Sequence, residues 1–473
     1  MPAFNNEINY QNVNSNVLSY KEWKLWVKSK HWTIKWFIYL ILFRPFIDIF
    51  YFLKHLSPIL SPLYIIGVLT PLFIIASLSN DRMPKKVKSE IDPFFIVFSF
   101  FIFFNSLAVF FTFMDLESFG TFIELNAPVY LYLYCRRAVY NNKELDKLLQ
   151  TFLYSAIVPG LMMIFEIVIH PIKVEYTRGN IARTSGFYAD VLNYSIYMTL
   201  SVLILGYFYI KNRNDYWGKK KIRKIMYPAF LICFLGLFKI SHMATISIFI
   251  VLIFLFILYL QKESKFAAIV FIVISFPVFY FVAKDKIEAQ VFPLISKDVE
   301  VYQGEKDFER GFNGRFGRWE KFIGVFEDNV PFFFRMIGPS FTFNSDIKKM
   351  VVGIHNDYLR ISFLTGYVGF FFWMIFLLQI FIKSRFLVVH EKFLITGALA
   401  ILLLYSVSTV PTVYFPLMYM ILSIFSYAVI PNKAKKILNE NSDVINSRKV
   451  TTPFLRPRFG YGNINPVQTQ KPL

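Results

Sequence analysis

The imidazole of His355 stands where a long polar segment meets about 20 apolar residues, the length of a membrane-spanning helix. An imidazole can take up or release a proton near neutral pH. On an ideal helix at about 100° per residue, His355, Ser362, Gly366 and Gly369 fall on one face. Ser362 and Gly366 form a small-xxx-small pair, which lets a second helix approach closely. We therefore expect His355 to face the bundle interior at the mouth of a membrane domain, as a candidate site residue.

Two further polar clusters precede this one. At the start of the apolar stretch 188–210, four polar residues share one face of the predicted helix: Asp190, Asn193, Tyr194 and Tyr197. Arg183 comes just before that stretch. The other cluster, 311–319, reads G-F-N-G-R-F-G-R-W and contains Arg315 and Arg318.

The composition indicates what positions these clusters. The chain has 473 residues, 56% of them hydrophobic, and 57 are Phe. This composition is typical of a polytopic membrane protein rather than a soluble globule with one core. Twelve apolar stretches predict transmembrane helices: 34–54, 58–78, 93–114, 121–135, 149–170, 188–210, 225–240, 243–260, 266–283, 358–382, 393–409 and 412–430.

The distribution of the +20 net charge predicts how these helices are oriented. With a cytoplasmic N-terminus, the numbers of Lys and Arg in the inside segments are 4 in 79–92, 4 in 136–148, 7 in 211–224, 2 in 261–265, 3 in 383–392 and 8 in the tail from 431. The outside connections 115–120, 241–242 and 410–411 carry none, and 171–187 carries three, Lys173, Arg178 and Arg183. The outside segment 284–354 has 11 basic and 11 acidic residues. This is the positive-inside pattern. The excess charge therefore reflects topology and predicts no nucleic-acid partner, and all three polar clusters lie on the outer side.

We accordingly predict an all-α integral membrane protein with about twelve transmembrane helices and both termini in the cytoplasm. An interfacial segment, 1–33, precedes helices one to nine, 34–283. A large, mostly helical outer loop, 284–354, separates helices nine and ten, and the last three helices occupy 355–430. The basic tail, 431–473, has few aliphatic residues and is expected to be disordered in the cytoplasm.

Two local patterns make sharper structural predictions. In the outer loop, Trp319, Phe322, Ile323 and Phe326 have the i, i+3, i+4, i+7 spacing of an amphipathic helix. That helix ends before Pro331 and rests its apolar stripe on the membrane bundle. In the first apolar stretch, Arg44 and Asp48 have the i, i+4 spacing of neighbours on one helical face, and we interpret them as an intramembrane ion pair.

The order His355-Asn356, nine residues, Gly366, two residues, Gly369 resembles the H-N-x9-G-x-x-G signature of the O-antigen ligase and O-antigen polymerase superfamily. The segment 183–188, R-T-S-G-F-Y, resembles the R-x-x-G-x-F/Y element of that family. The twelve predicted spans and the large outer loop after the ninth are also similar. The resemblance implies the helix-rich C-type membrane glycosyltransferase fold.

The outer loop carries the rest of the resemblance. The segment 314–319, G-R-F-G-R-W, with the later Ile337-Gly338-Pro339, resembles a G-R-x-x-x-W element and the glycine turn that follows it. The chain departs from the family at the eighth span. Relatives often carry Ser-Arg there, whereas this chain has Ser241-His242, with Lys239 nearby.

The resemblance implies a glycosyltransferase that takes its glycan from a lipid diphosphate, without a metal ion or other cofactor. Arginine offers a planar fork of donors that matches phosphate oxygens, so Arg183 and Arg315 are predicted to hold the diphosphate. A neutral imidazole suits a general base, and His355 is predicted to take the acceptor proton. The predicted substrate-binding residues are Asn356, Tyr358, Arg318, Tyr188, Asn193, Tyr194 and His242.

The resemblance leaves several functions open. A polymerase would join undecaprenyl-diphosphate-linked repeat units of a capsule, exopolysaccharide or O-antigen on the outer face of the cytoplasmic membrane. A ligase would transfer the glycan to a lipid A core, and an oligosaccharyltransferase to a protein. We favour the polymerase, whose expected partners are the lipid-linked glycan, the bilayer, and a flippase and chain-length regulator of the same pathway. A polysaccharide flippase is the alternative from another class, but the chain shows no internal repeat.

Overall fold

The computed structural model describes residues 18–57, 61–176, 182–261, 311–339 and 354–432, with short pieces and single positions between 264 and 303 and at 435. Most of the predicted ninth span, much of the outer loop and nearly all of the basic tail lie outside the described residues. Within them the fold is helical, apart from one two-stranded antiparallel sheet.

The elements follow one another along the chain with short connections. The first half comprises α1 Tyr20–Ser29, α2 Trp32–Ile49, α3 Leu53–Leu56, α4 Pro62–Leu78, α5 Asp92–Phe113, α6 Leu116–Leu125, α7 Ala127–Ala138, α8 Asn142–Ser155 and α9 Ile157–Val168. The second half comprises β1 Val174–Tyr176, β2 Ala182–Thr184, α10 Val191–Lys211, α11 Tyr216–Ile240, α12 Met243–Tyr259, α13 Gly311–Asn329, α14 Phe332–Ile337, α15 Asp357–Ser384, α16 Val389–Ser408 and α17 Phe415–Ala428.

Five of the described helices are long and apolar enough to cross a membrane: α5, the continuous α8–α9 pair, α10, α15 and α16. Three shorter helices, α4, α12 and α17, are also apolar. The helices confirm the prediction of an all-α, multi-pass membrane protein. The number of twelve crossings stays a prediction.

Breaks between helices account for two features of the apolar pattern, the short stretch 121–135 and the separation of 225–240 from 243–260. The short stretch 121–135 is divided at Asn126, whose Nδ2 donates to Ser106 Oγ at 2.6 Å and to the Phe122 carbonyl at 2.8 Å. Stretches 225–240 and 243–260 are separated as predicted, because α11 ends at Ser241 in a left-handed conformation with φ of 46°. His242 then precedes α12.

The core is centred on α10 and α17, which are buried over nearly their whole length. In α17 every residue from Pro416 to Ala428 is buried. Peripheral helices such as α5 instead turn large apolar side chains outward, including Ile96, Phe100 and Phe111. In a membrane protein such residues face lipid, so α10 and α17 form the interior of the bundle.

Buried ion pairs stabilise the packing of this interior. The predicted ion pair is confirmed, with Arg44 Nε 2.7 Å from Asp48 Oδ1, and Arg44 Nη1 reaches Tyr419 Oη of α17 at 3.5 Å. A second pair was not anticipated from the sequence. Arg136 at the end of α7 is 1% exposed, and its Nε donates to Asp92 of α5 at 2.9 Å. The Arg136–Asp92 pair connects α7 to α5, whereas the Arg44–Asp48 pair lies within α2 and is joined to α17 through Tyr419. Such pairing is expected for ionisable groups inside a membrane domain.

Candidate functional site

The sheet presents Arg183 on β2, where it is paired in register with Glu175 of β1. A buried carboxylate anchors the same strand to α9. Thr184 Oγ1 donates to Glu166 Oε2 at 3.0 Å, and the Ile172 amide donates to Glu166 Oε1 at 3.1 Å. Sequence reasoning missed Glu166, although a single acidic residue within an apolar stretch is the signal that identifies it.

The turn after β2 depends on Gly186. Its φ is +58°, and a Cβ at this position would lie 2.2 Å from the Tyr194 hydroxyl oxygen. Tyr188 and Tyr194 are completely buried and pack edge to face with ring centroids 5.2 Å apart. Neither ring offers a face to a sugar in this structure. Both rings belong to the core of α9 to α12 in this structure, and their predicted role in substrate binding stays a prediction.

Asp190 is the N-cap of α10 rather than part of its helical face. Its Oδ1 accepts a hydrogen bond from the Leu192 amide at 3.3 Å, and the helix begins at Val191. This start follows from the preference of Asp for the N-cap position. Asn193 is half-buried on the first turn, and Tyr197 is buried. The predicted shared polar face is thus largely internal.

The helix α13 carries Arg315 and Arg318 and follows most of the predicted amphipathic pattern. Phe326 is fully buried and stacks on Phe363 of α15, with centroids 4.6 Å apart. Trp319 and Phe322 pack against the core, whereas Ile323 is 36% exposed and departs from the prediction. The contact with α15 places α13 beside the segment that contains His355.

His355 precedes α15 instead of lying on it. Asn356 is the N-cap, and its Oδ1 accepts a hydrogen bond from the Leu359 amide at 3.1 Å. The helix is also interrupted at Gly366, where φ is +69° and ψ is 174°. Both features correct the prediction of one ideal helical face from His355 to Gly369, because the chain turns at a cap and again at a kink.

The first turn of α15 is held by a buried network that the sequence analysis did not identify. Asp357 pairs with Arg360 at 2.7 Å and accepts hydrogen bonds from the Thr412 amide at 3.0 Å and from its hydroxyl at 2.9 Å. Tyr358 donates to the Leu403 carbonyl at 2.9 Å and so joins α15 to α16, and its predicted role toward substrate stays a prediction. The i, i+3 spacing of Asp and Arg was the available signal. These contacts fix the backbone on which His355 sits.

The two glycines of the His355 signature are packing positions. A Cβ on Gly366 would lie 2.3 Å from the Gly338 amide nitrogen and 2.4 Å from the Met336 carbonyl oxygen. A Cβ on Gly369 would lie 3.0 Å from Phe101 Cβ of α5. At the kink, the backbone of Gly366 therefore contacts the backbone of the turn that follows α14. Gly338 lies in this turn, with φ of +99°.

These elements bring the three predicted arginines into one electrostatic environment. The pKa of the Arg315 guanidinium is lowered by burial and then by the charges of Arg318 and Arg183. Arg315 nevertheless stays protonated at any physiological pH. An environment that disfavours additional positive charge favours a bound anion, so the arginines of β2 and α13 are candidates for binding an anion.

His242 adjoins this region. Burial lowers its pKa to about 4, with further lowering by Arg315 and Arg183. Its Nδ1 is 2.7 Å from Thr245 Oγ1, and its ring stacks on Tyr405. The imidazole is therefore neutral at neutral pH. The predicted role of His242 in substrate binding stays a prediction, and it would be played by a neutral imidazole.

His355 adjoins this region through the charges of Arg315 and Arg318. Partial burial lowers its pKa, as do the charges of Arg315 and Arg318, while Asp190 raises it. The residue is nevertheless exposed, so a ligand can reach its ring. A neutral, accessible imidazole beside two guanidinium groups is suited to accept a proton from a group that approaches an anion. We call Arg183, Arg315, Arg318, His242 and His355 the arginine–histidine cluster.

Comparison of the chain with protein-family models, with curated proteins and with solved structures finds no match. Functional argument therefore rests on the geometry and on the sequence motifs. Among the described residues, no three His, Cys, Asp or Glu side chains converge as a metal site. The need for a metal ion is a matter for the assay proposed below.

Proposed function

We propose that the chain is an integral-membrane glycosyltransferase that polymerises undecaprenyl-diphosphate-linked oligosaccharide repeat units. The observation that carries the proposal is that the charges of Arg183 and Arg318 act on Arg315, while those of Arg315 and Arg318 act on an accessible, neutral His355. These four residues come from three separate segments of the chain, and each segment contains one of the family-like motifs. A cationic region beside a base is what transfer from a diphosphate leaving group requires.

The proposed reaction uses each part of the arginine–histidine cluster. The acceptor hydroxyl oxygen attacks the anomeric carbon of the donor, the bond from that carbon to the phosphate oxygen breaks, and polyprenyl diphosphate leaves. His355 takes the acceptor proton, and the guanidinium groups stabilise the negative charge that develops on the diphosphate. Neutral His242 donates a hydrogen bond at the edge of the same region.

The proposal includes the finer architecture predicted from the sequence. Twelve crossings in a C-type arrangement, with both termini in the cytoplasm, put the cluster on the outer face of the cytoplasmic membrane. The donor would reach it there after a flippase has moved the lipid-linked unit across, and a chain-length regulator would act on the product. The five long apolar helices support a multi-pass membrane protein.

A reconstituted reaction tests the proposal. Purified protein is incubated with a synthetic polyprenyl-diphosphate repeat unit, and products are resolved on a gel. The matched variants are His355→Ala and His170→Ala, because His170 is an exposed histidine outside the cluster. We expect a ladder from wild type and His170→Ala, none from equally stable His355→Ala, and full activity in EDTA.

The alternative outcomes discriminate between functions. A single product that forms only with a lipid A core or a protein acceptor would replace the polymerase by a ligase or an oligosaccharyltransferase. A ladder from His355→Ala would remove His355 from the chemistry. A ladder that EDTA abolishes and Mg²⁺ restores would overturn the metal-independent mechanism. Transport of the lipid-linked unit without any glycosidic bond formation would identify a flippase.

A further inference from the structure

A second cationic region lies far along the chain from the arginine–histidine cluster, between α1, the first half of α2 and the junction of α8 and α9. It is a cavity of about 720 Å³. Its lining combines three lysines with aromatic and aliphatic side chains: Lys24, Lys28, Lys35, Tyr20, Trp23, Tyr39, Tyr154, Val27, Leu42 and Ile157. Such a lining suits an amphiphile that has an anionic head.

The three lysines of the cavity differ in their ion pairing from two lysines nearby. Lys30 pairs with Glu144 at 2.6 Å, and Lys147 lies 3.6 Å from Glu22. Within the described part of the chain, Lys24, Lys28 and Lys35 form no ion pair. The cavity therefore presents three positive charges without a carboxylate on its wall, and these charges attract an anion.

The wall formed by α1 is fixed to the bundle. Trp23 Nε1 donates to Thr151 Oγ1 at 2.9 Å, and Trp26 Nε1 donates to Glu144 Oε2 at 3.1 Å, both on α8. Trp23 and Trp26 are buried by this contact. The lysines of α1 are consequently held at a constant position relative to Lys35 of α2, as a binding site requires.

Two apolar stripes lead away from the cavity. On α2, Tyr39 stacks on Phe43 with centroids 6.3 Å apart, and Phe43 contacts Phe46; all three are exposed. On α9, the exposed residues Ile157 and Leu161 begin the second stripe, which continues through Ile164 and Val168. The helices α2 and α9 are in contact. The stripes therefore flank one lipid-facing groove that begins at the cationic cavity.

We propose that this cavity binds an anionic phospholipid of the surrounding bilayer. The ammonium groups of Lys24, Lys28 and Lys35 hold the phosphate, Tyr20, Trp23 and Tyr154 surround the headgroup, and the acyl chains lie along the two stripes. Lysine suits this ligand because its compact charge contacts a phosphate without a fixed geometry. Tyrosine and tryptophan prefer the headgroup level of a membrane. The proposal is independent of the glycosyltransferase assignment.

Native mass spectrometry of the purified full chain tests this site. The protein is titrated in detergent with phosphatidylglycerol, and in parallel with phosphatidylcholine. The variant Lys24→Gln/Lys28→Gln/Lys35→Gln is compared with Lys21→Gln/Lys85→Gln/Lys88→Gln, which removes three exposed lysines outside the cavity. We expect the first variant to lose at least about tenfold in phosphatidylglycerol affinity, and the control to keep it.

The remaining outcomes overturn the proposal. Equal loss in both triple variants would reduce the effect to total charge. Equal affinity for phosphatidylglycerol and phosphatidylcholine would remove the role of the lysines. Complete displacement of phosphatidylglycerol by millimolar inorganic phosphate would identify a free-anion site. The single variant Lys28→Gln, at an exposed position of α1, gives the same readout without a threat to folding, with an expected loss of about threefold.

Discussion

His355 owes its suitability as a base to its neighbours rather than to its own chemistry. Arg315 and Arg318 disfavour the imidazolium, and Asp190 favours it. Burial acts in the same direction as the arginines. The balance is a lowered pKa, so the neutral form that accepts a proton predominates at neutral pH.

Removing a cationic neighbour of His355 and removing its anionic neighbour should shift the pH dependence of activity in opposite directions. Removing Arg318 stabilises the imidazolium and raises the pKa, so Arg318→Gln should move the acidic limb of kcat/KM to higher pH. Removing the Asp190 carboxylate lowers the pKa, so Asp190→Asn should move the limb to lower pH. Initial rates of repeat-unit transfer between pH 4 and 8 measure both limbs, and displacement of both in the same direction would contradict the assignment.

Arg183 tests whether geometry or charge matters at the diphosphate. The variant Arg183→Lys keeps the positive charge but loses the planar fork of donors. If bidentate contact with phosphate oxygens is needed, turnover should fall at least about tenfold while folding is unchanged. Wild-type glycan synthesis by Arg183→Lys in cells would instead make Arg183 a headgroup anchor.

At the scale of elements, Gly366 determines how the outer segment meets the bundle. The turn at Gly338 fits into the kink of α15 with no room for a side chain on either residue. This contact positions α14 on α15, and α13 packs on α15 through Phe326. The long helix α15 therefore contacts both α14 and α13, which carries Arg315, and it begins close after His355.

A matched pair of glycine variants tests this contact. In Gly366→Ala, the new Cβ would lie 2.3 Å from the Gly338 nitrogen, and the backbone at φ +69° and ψ 174°, a region occupied essentially only by glycine, adds strain on the order of 1–3 kcal/mol. We expect a large loss of folded protein. At Gly324 of α13 a new Cβ would have no atom within 4 Å, so Gly324→Ala should keep or raise the melting temperature. Equal melting temperatures for the two variants, measured by tryptophan fluorescence, would refute the packing role.

The sequence predicted elements better than it predicted their ends. Hydrophobic length located the helices, and the Arg44–Asp48 spacing predicted an ion pair that the structure contains. The kink at Gly366 was not predictable, because it depends on a turn in another segment of the chain. Arg136 was counted among the basic residues of an inside loop, but it donates hydrogen bonds to Asp92 and to the Ser426 carbonyl inside the bundle. A count of charges contains no information about such tertiary partners.

The candidate site shows the same division. The motif spacing selected arginines and histidines whose charges influence one another, and their role in a site stays a prediction. It assigned Tyr188 and Tyr194 to the substrate, although burial places both rings in the core. A tyrosine beside a polar motif has the same sequence appearance in either role, and only packing distinguishes them.

At the scale of the whole molecule, the proposal requires the arginine–histidine cluster to face outward. Cysteine labelling tests this sidedness with little background, because Cys135 and Cys233 are both buried. Lys321 of α13 and Lys85 of the α4–α5 connection are exposed. In intact cells, a membrane-impermeant maleimide should label Lys321→Cys and leave Lys85→Cys unlabelled until the membrane is opened. The reverse pattern would invert the predicted topology.

The central claim is that the arginines form the diphosphate site, and the affinity for undecaprenyl diphosphate tests it most directly. Binding is measured by microscale thermophoresis for wild type, Arg315→Gln and Lys321→Gln, which removes an exposed charge from the same helix. We predict that Arg315→Gln loses about tenfold or more in affinity, since it removes charged hydrogen bonds to phosphate, and that Lys321→Gln matches wild type. Unchanged affinity in Arg315→Gln, or an equal loss in Lys321→Gln, would contradict the account.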